Sequence, residues 1–126
     1  MEHIFDVIII GAGPIGMACG IEAKRKGLDY VIIEKGSIVN SVFHYPTNMT
    51  FFSTAEKIEI GGVPFVSHGD KPTRREALEY FRRVKAAYGL LINTYEKVID
   101  VKADDTNYKI NTNKNLSLIH ISEPTR

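Results

Sequence analysis

The chain has 126 residues, a net charge of +1, and 44% hydrophobic and 25% charged residues, the size and balance of one ordinary globular domain. So small a charge gives no long-range field for drawing in nucleic acid or anionic lipid, which excludes polyanion binding as the organising function. The single cysteine, Cys19, excludes an internal disulfide, and no CxxC or mixed Cys/His cluster offers metal-ligand spacing. The opening apolar run, Val7 to Ile10, is too short for a signal-peptide core and lacks a basic leader. No other segment approaches the roughly 20 apolar residues of a bilayer span. These features predict a cytoplasmic protein with neither membrane nor nucleic acid as a partner.

Ile4 to Ile10 is β-branched or aromatic apart from Asp6, which predicts one strand buried on both faces of a parallel sheet. Gly11 ends it. From Pro14 to Lys26 the pattern is helical, with Gly16, Gly20, Ala23 and Gly27 forming a smooth stripe that lets the helix lie close on a sheet. Lys24, Arg25 and Lys26 fall in the last turn, where they answer the negative end of the helix dipole and face solvent. A second strand, Tyr30 to Ile33, ends in Glu34. Strand, turn, helix and strand together carry GxGxxG as Gly11, Gly13 and Gly16, with an acidic residue 23 positions after Gly11. A bare GxGxxG is weak, but this context makes it a dinucleotide fingerprint rather than glycines turning a corner. Gly11 permits the tight turn, Gly13 lets the backbone approach a pyrophosphate, and Gly16 allows close helix packing. Main-chain amides and the positive helix end then face the anion. Glu34 accepts hydrogen bonds from an adenosine ribose and repels a 2′-phosphate, so the nucleotide here is FAD or NAD rather than NADP.

Lys35 to Lys71 is a long stretch with Pro46, Gly61-Gly62 and Pro64 and no sustained period, the length at which loops are usually functional. Within it, Ser53 to Glu56 matches a capping box and predicts one helical turn. A second capping box, Thr73 to Glu76, opens an amphipathic helix with Ala77, Phe81, Val84 and Tyr88 on one face, closed by Gly89. Its cations, Arg74, Arg75, Arg82, Arg83 and Lys85, read first as a solvated surface and only second as an anion site. Leu90 to Lys102 is extended, a polar turn follows, and Tyr108 to Thr112 returns as a hairpin strand. The fold class predicted is α/β: an incomplete doubly wound, Rossmann-like FAD-binding domain with an antiparallel β insertion.

On "DVIIIGAGPIGMACGIEAKRKGLDYVIIEKG", "HYPTNMTFFS" and "EIGGVPF", the chain resembles the bacillithiol-disulfide reductases, a branch of the thioredoxin-reductase-like flavoproteins, from residue 4 to about residue 114. The resemblance implies an FAD-containing, NADPH-dependent reductase passing electrons to a disulfide or other small-molecule acceptor, with the NADPH site further along the protein. It implies that Gly11, Gly13, Pro14 and Ile15 line the pyrophosphate, Glu34 and Lys35 the adenosine ribose, Asn40 and Ser41 the stretch toward the flavin, and Val98 the adenine through its backbone. A homo-oligomer of the complete protein is compatible with this, and the sequence does not set the oligomeric state. Family members acting on bacillithiol carry a cysteine directly after the proline of the glycine motif, where this chain has Ile15. The redox CxxxxC of glutathione-reductase-type enzymes is also missing, which excludes that subclass. Cys19, beside the small-residue stripe, is expected to be a packed and inert thiol. The four histidines are scattered without partner spacing, so no catalytic residue is assigned. A flavin-dependent monooxygenase and a non-catalytic dinucleotide-binding module are the competing readings.

The tail "LSLIHISEPTR", Leu116 to Arg126, resembles the translation of a transposase adaptor used in preparing sequencing libraries. The expectation is a partial FAD-binding domain over residues 1–115 and a non-native tail over 116–126, set apart from the fold although its alternation could pass for a strand. Such a fragment leaves the edge of its first strand unpaired, holds flavin weakly and is inactive by itself.

Overall fold

Two short apolar runs, β1 (Ile4–Phe5) and β2 (Val7–Ile10), open the computed structural model, which describes residues 3–45, 49–51, 54–69, 71–103 and 105–114 and the backbone of 116–120. The single strand predicted over Ile4–Ile10 is broken at Asp6. There the Asp6 carboxylate accepts the Asp29 N–H at 2.8 Å, while the amides of Asp6 and Val7 both turn to the Asp29 carbonyl. The two halves consequently enter different sheets.

β2 pairs in parallel with β3 (Tyr30–Ile33), Val7 opposite Tyr30 through Ile10 opposite Ile33, and α1 (Pro14–Arg25) makes the crossover. β4 (Ile92–Asn93) joins the far side of β3, giving the order β2-β3-β4. All of β3 is buried because both its faces are covered: Tyr30 and Ile32 lie in the cluster under the helices, Val31 and Ile33 in a smaller one with Ile110. The small-residue stripe does what its pattern predicts, since a Cβ on Gly20 would stand 2.6 Å from Ile32 Cδ1. β2 is less buried than predicted: Val7 to Ile9 are half-buried and Ile10 is 59% exposed, while its outer edge, among the described residues, is unpaired as expected.

Two short helices, α2 (Asn40–Phe43) and α3 (Ala55–Ile58), interrupt the long connection. Sequence periodicity is blind to α2, and the turn predicted over Ser53–Glu56 is α3, starting two residues later; Ser53 itself lies outside the described residues. α4 (Arg74–Tyr88) forms as predicted. Both halves of its capping box are made, with Thr73 N donating to Glu76 Oε1 at 2.9 Å and Glu76 N donating to Thr73 Oγ1 at 3.2 Å, and Gly89 ends it at φ 60°. Ala77, Phe81 and Val84 are fully buried with Leu78 and Tyr80 beside them, while Tyr88 is half-buried. Tyr88 also anchors the basic end of α1: Lys24 Nζ donates to its carbonyl and Arg25 Nη2 to its hydroxyl at 2.8 Å. Two of the three cations predicted to face solvent thus tie α1 to α4.

The extended segment predicted over Leu90–Lys102 is two strands in two sheets, because the chain turns at Tyr95, φ 55°, between β4 and β5 (Val98–Ala103). β5 and β6 (Asn107–Thr112) form the predicted antiparallel hairpin, with an irregularity between Val98 and Asp100. The tail, set apart from the fold by sequence, contributes β7 (Leu116–His120), antiparallel to β6 and parallel to β1, so the second sheet runs β1-β7-β6-β5. Its apolar, β-competent composition is enough to explain the pairing. Among the described residues no helix is long and apolar enough to cross a membrane.

Candidate functional site

The turn between β2 and α1 is built from main chain. Gly11 adopts φ 106°, forbidden to a side-chain-bearing residue at low energy, and its N–H is held by the Ile33 carbonyl at 2.8 Å. Gly16 sits so close beneath that a Cβ there would be 1.9 Å from the Gly11 carbonyl oxygen. Gly13 is the opposite case: a Cβ would meet nothing within 4 Å, so the space above the turn is open. Gly13 caps α1 without a side chain, Pro14 follows, and the first turn contains no acidic residue. The positive helix end is left to an outside anion.

Glu34 is 6% exposed and its carboxylate is gripped by two main-chain donors, Ala12 N to Oε1 at 2.8 Å and Gly36 N to Oε2 at 2.7 Å. Its own backbone is fixed between Asn93 O at 2.8 Å and Glu96 N at 2.9 Å. A carboxylate accepts about four hydrogen bonds, so the sites left over remain for hydroxyl donors. Ala12 is gripped from its other side too, its carbonyl accepting from Val39 N at 2.7 Å. To reach it Val39 adopts φ 43°, ψ 48° while fully buried, a left-handed conformation that costs a β-branched residue about 1–3 kcal/mol.

Gly11, Glu34, Lys35 and Val98 meet in one cavity of about 290 Å³, completed by Ile10, Ile33, Glu96 and Lys97. At the lower end of ligand-site volumes, roughly 300–1,000 Å³, it fits a nucleoside rather than a whole dinucleotide. Open space over Gly13, uncapped amides and a carboxylate with acceptors to spare fit the ADP part of such a cofactor. Pro14, Ile15 and Gly16 lie in the first turn of α1 beside it, with Ile15 81% exposed. Asn40 and Ser41 are outside this cavity. Asn40 Oδ1 folds back on Ser37, accepting its N–H at 3.3 Å, and Ser41 is exposed on α2. Sequence reasoning missed Ile10, Ile33, Glu96 and Lys97; the only signals were that Ile33 precedes Glu34 and that Glu96 and Lys97 precede Val98. Cys19, expected to be packed, is exposed. Of the described histidines, none lies in the glycine turn: His3 pairs with Asp29 at 2.5 Å, His44 follows α2, and His68 lines another cavity.

A parallel sheet with a glycine turn, an acidic residue ending the next strand and an antiparallel insertion defines the dinucleotide-binding unit of flavoprotein oxidoreductases. The family model described as pyridine nucleotide-disulphide oxidoreductase matches residues 8–119. The chain belongs to that family. It is 52% identical over 77 residues to bacilliredoxin reductase Bdr of Bacillus subtilis, a match spanning 61% of this chain and 24% of that protein. Its structure is similar to the bacillithiol disulfide reductase Bdr (YpdA) of Staphylococcus aureus, with TM-score 0.91 and 44% identity over 94% of this chain and 36% of that one. A flavin monooxygenase from Stenotrophomonas maltophilia follows at TM-score 0.87 and 28% identity, again covering 94% of this chain and 37% of the other. The chain therefore spans between about a quarter and two fifths of these three proteins.

Proposed function

We propose that this chain supplies the ADP-binding half of the FAD site in an NAD(P)H-dependent flavoprotein oxidoreductase that reduces a thiol-derived disulfide. The observation that carries this is the conjunction at the glycine turn: open space over Gly13, an uncapped α1 N-terminus and the doubly held carboxylate of Glu34. In this reading Gly11, Gly13, Pro14, Ile15 and Gly16 surround the pyrophosphate, Glu34 and Lys35 orient the ribose, Val98 meets the adenine, and Asn40 and Ser41 lead toward the ring system. Bound FAD supplies the redox chemistry, accepting hydride from NADPH and passing electrons on. The chain's own residues bind, neutralise and orient. The NADPH site and the acceptor site belong to other parts of the protein, which is cytoplasmic and acts on small molecules. We also keep the proposal that residues 1–115 are the partial FAD domain and 116–126 a non-native tail; the genomic sequence across residue 115 tests it.

Ile15 favours a second reading. With an isoleucine where a reactive thiol would stand, and with a flavin monooxygenase among the similar structures, oxygen could be the acceptor instead of a disulfide. The experiment is NADPH oxidation by the complete protein, followed with disulfides and with dissolved oxygen. Disulfide-dependent turnover supports the reductase; oxygen uptake matching NADPH loss supports the monooxygenase; no NADPH oxidation with either contradicts both.

A further inference from the structure

The glycine turn carries three consecutive main-chain amides, and the fold engages two of them. Gly11 N–H donates to the Ile33 carbonyl and Ala12 N–H to the Glu34 carboxylate, each at 2.8 Å. Among the described residues the Gly13 N–H donates to no protein group. Its direction is fixed all the same. The Ala12–Gly13 peptide is trans, and in a planar trans peptide the N–H points opposite to the C=O. Because the Ala12 carbonyl accepts from Val39 N at 2.7 Å, the Gly13 N–H is aimed away from Val39.

Val39 and Ala12 are both fully buried and belong to one hydrophobic cluster. Away from Val39 therefore means out of the core, toward the open space over Gly13 and the uncapped end of α1. The loop from Glu34 to Val39 closes on a single residue from both sides, Glu34 taking the N–H of Ala12 and Val39 its C=O. With water excluded from both bonds, the plane of the peptide that carries the outward amide has little freedom to turn. A contact that served packing alone has no need of a β-branched residue at φ 43°, ψ 48°, a conformation that glycine adopts without strain. Strain of this kind gathers where the surroundings must hold a group in one orientation.

We propose that Val39 is a positioning residue for the pyrophosphate: its backbone N–H, acting through the Ala12 carbonyl, presets the Gly13 N–H as a donor to phosphate oxygens before any nucleotide arrives. This rests on the reading of the glycine turn as the ADP site. The isopropyl group packs in the core and has no part toward the ligand; the N–H sets the direction.

The test uses the complete protein freed of flavin and compares ADP with adenosine, which lacks the diphosphate. Replacing Val39 with its α-hydroxy acid analogue removes the N–H and keeps the side chain. ADP binding should fall about tenfold while adenosine binding stays within about twofold. The same exchange at Leu28, whose N–H donates to the Ala23 carbonyl at 3.0 Å beyond the far end of α1, should leave both ligands unaffected. Val39→Gly keeps the N–H and reaches the left-handed region freely, so it should hold ADP within about threefold of the parent while unfolding at lower urea. Should the ester not fold, amide exchange in the parent decides, since the Val39 amide should be protected before nucleotide is added. An ester that binds ADP like the parent or loses adenosine equally, a Val39→Gly form that loses ADP as the ester does, or a Val39 amide that exchanges freely until ADP arrives overturns the inference and leaves the ADP site standing. A parent that binds no ADP overturns the proposed function and this inference with it.

Discussion

At Glu34 a buried carboxylate binds two main-chain amides at once, so its role in shaping the turn is separable from any role toward a ligand. Glu34→Gln keeps the shape but presents an NH₂ to one of those donors. The expected loss is about 1–3 kcal/mol, the penalty for an unpaired buried polar group, read as a lower urea midpoint. The two glycines answer differently. A Cβ at Gly16 collides with backbone at 1.9 Å, and Gly16→Ala should cost at least the roughly 1–3 kcal/mol of overpacking. At Gly13 the added methyl meets nothing and φ is −78°, so Gly13→Ala should change stability by less than about 0.5 kcal/mol while abolishing pyrophosphate binding. Equal effects of the two alanines on the urea midpoint would contradict this assignment. The close packing at Gly16 and the open approach at Gly13 were legible because they follow from spacing within one local crossover; the grip of Glu34 on the Ala12 and Gly36 amides was not. Nor was Val39. Its left-handed backbone runs against every preference of a β-branched residue and is imposed by the distant Ala12 carbonyl.

Among the elements, α4 was read correctly from end to end because cap, periodicity and terminal glycine all agree. α2 and the break at Asp6 were not legible, since each depends on hydrogen bonds to residues far along the chain. The cap of α4 has a pH signature. Hydrogen bonds from the Thr73 and then the His68 backbone hold the Glu76 carboxyl below its ordinary value of 4.5. With the folded value depressed, the stabilisation is complete above that ordinary value and fades as pH falls through the folded one. Glu76→Gln should therefore flatten the acid limb of the stability profile below about pH 4.5; a limb as steep as that of the parent chain would contradict it. Thr73→Ala removes the other half of the box and should cost about 1 kcal/mol by denaturant titration. At the opposite end, Lys24 and Arg25 hold Tyr88, contacts invisible to a reading that assigned them to the helix dipole and a solvated face.

Across the whole molecule, the parallel sheet and the antiparallel insertion were both foreseen in kind. The placement of strands was less so: β4 and β5 were fused in the sequence reading because nothing in the pattern from Leu90 to Lys102 marks the turn at Tyr95. β2 keeps an open edge among the described residues and Ile10 stands 59% exposed, the surface on which further parallel pairing builds a doubly wound sheet. A cavity of about 290 Å³ has room for no more than one end of a dinucleotide, so the chain by itself should lose added FAD on desalting.

The central claim is that the glycine turn and Glu34 hold the ADP part of FAD, and the flavin content of the complete protein tests it most directly. The purified protein should show the visible flavin bands at one FAD per chain, and its Gly13→Ala form should lose them while remaining folded. A complete protein that stays colourless when offered FAD, or a Gly13→Ala form as yellow as its parent, would contradict the account.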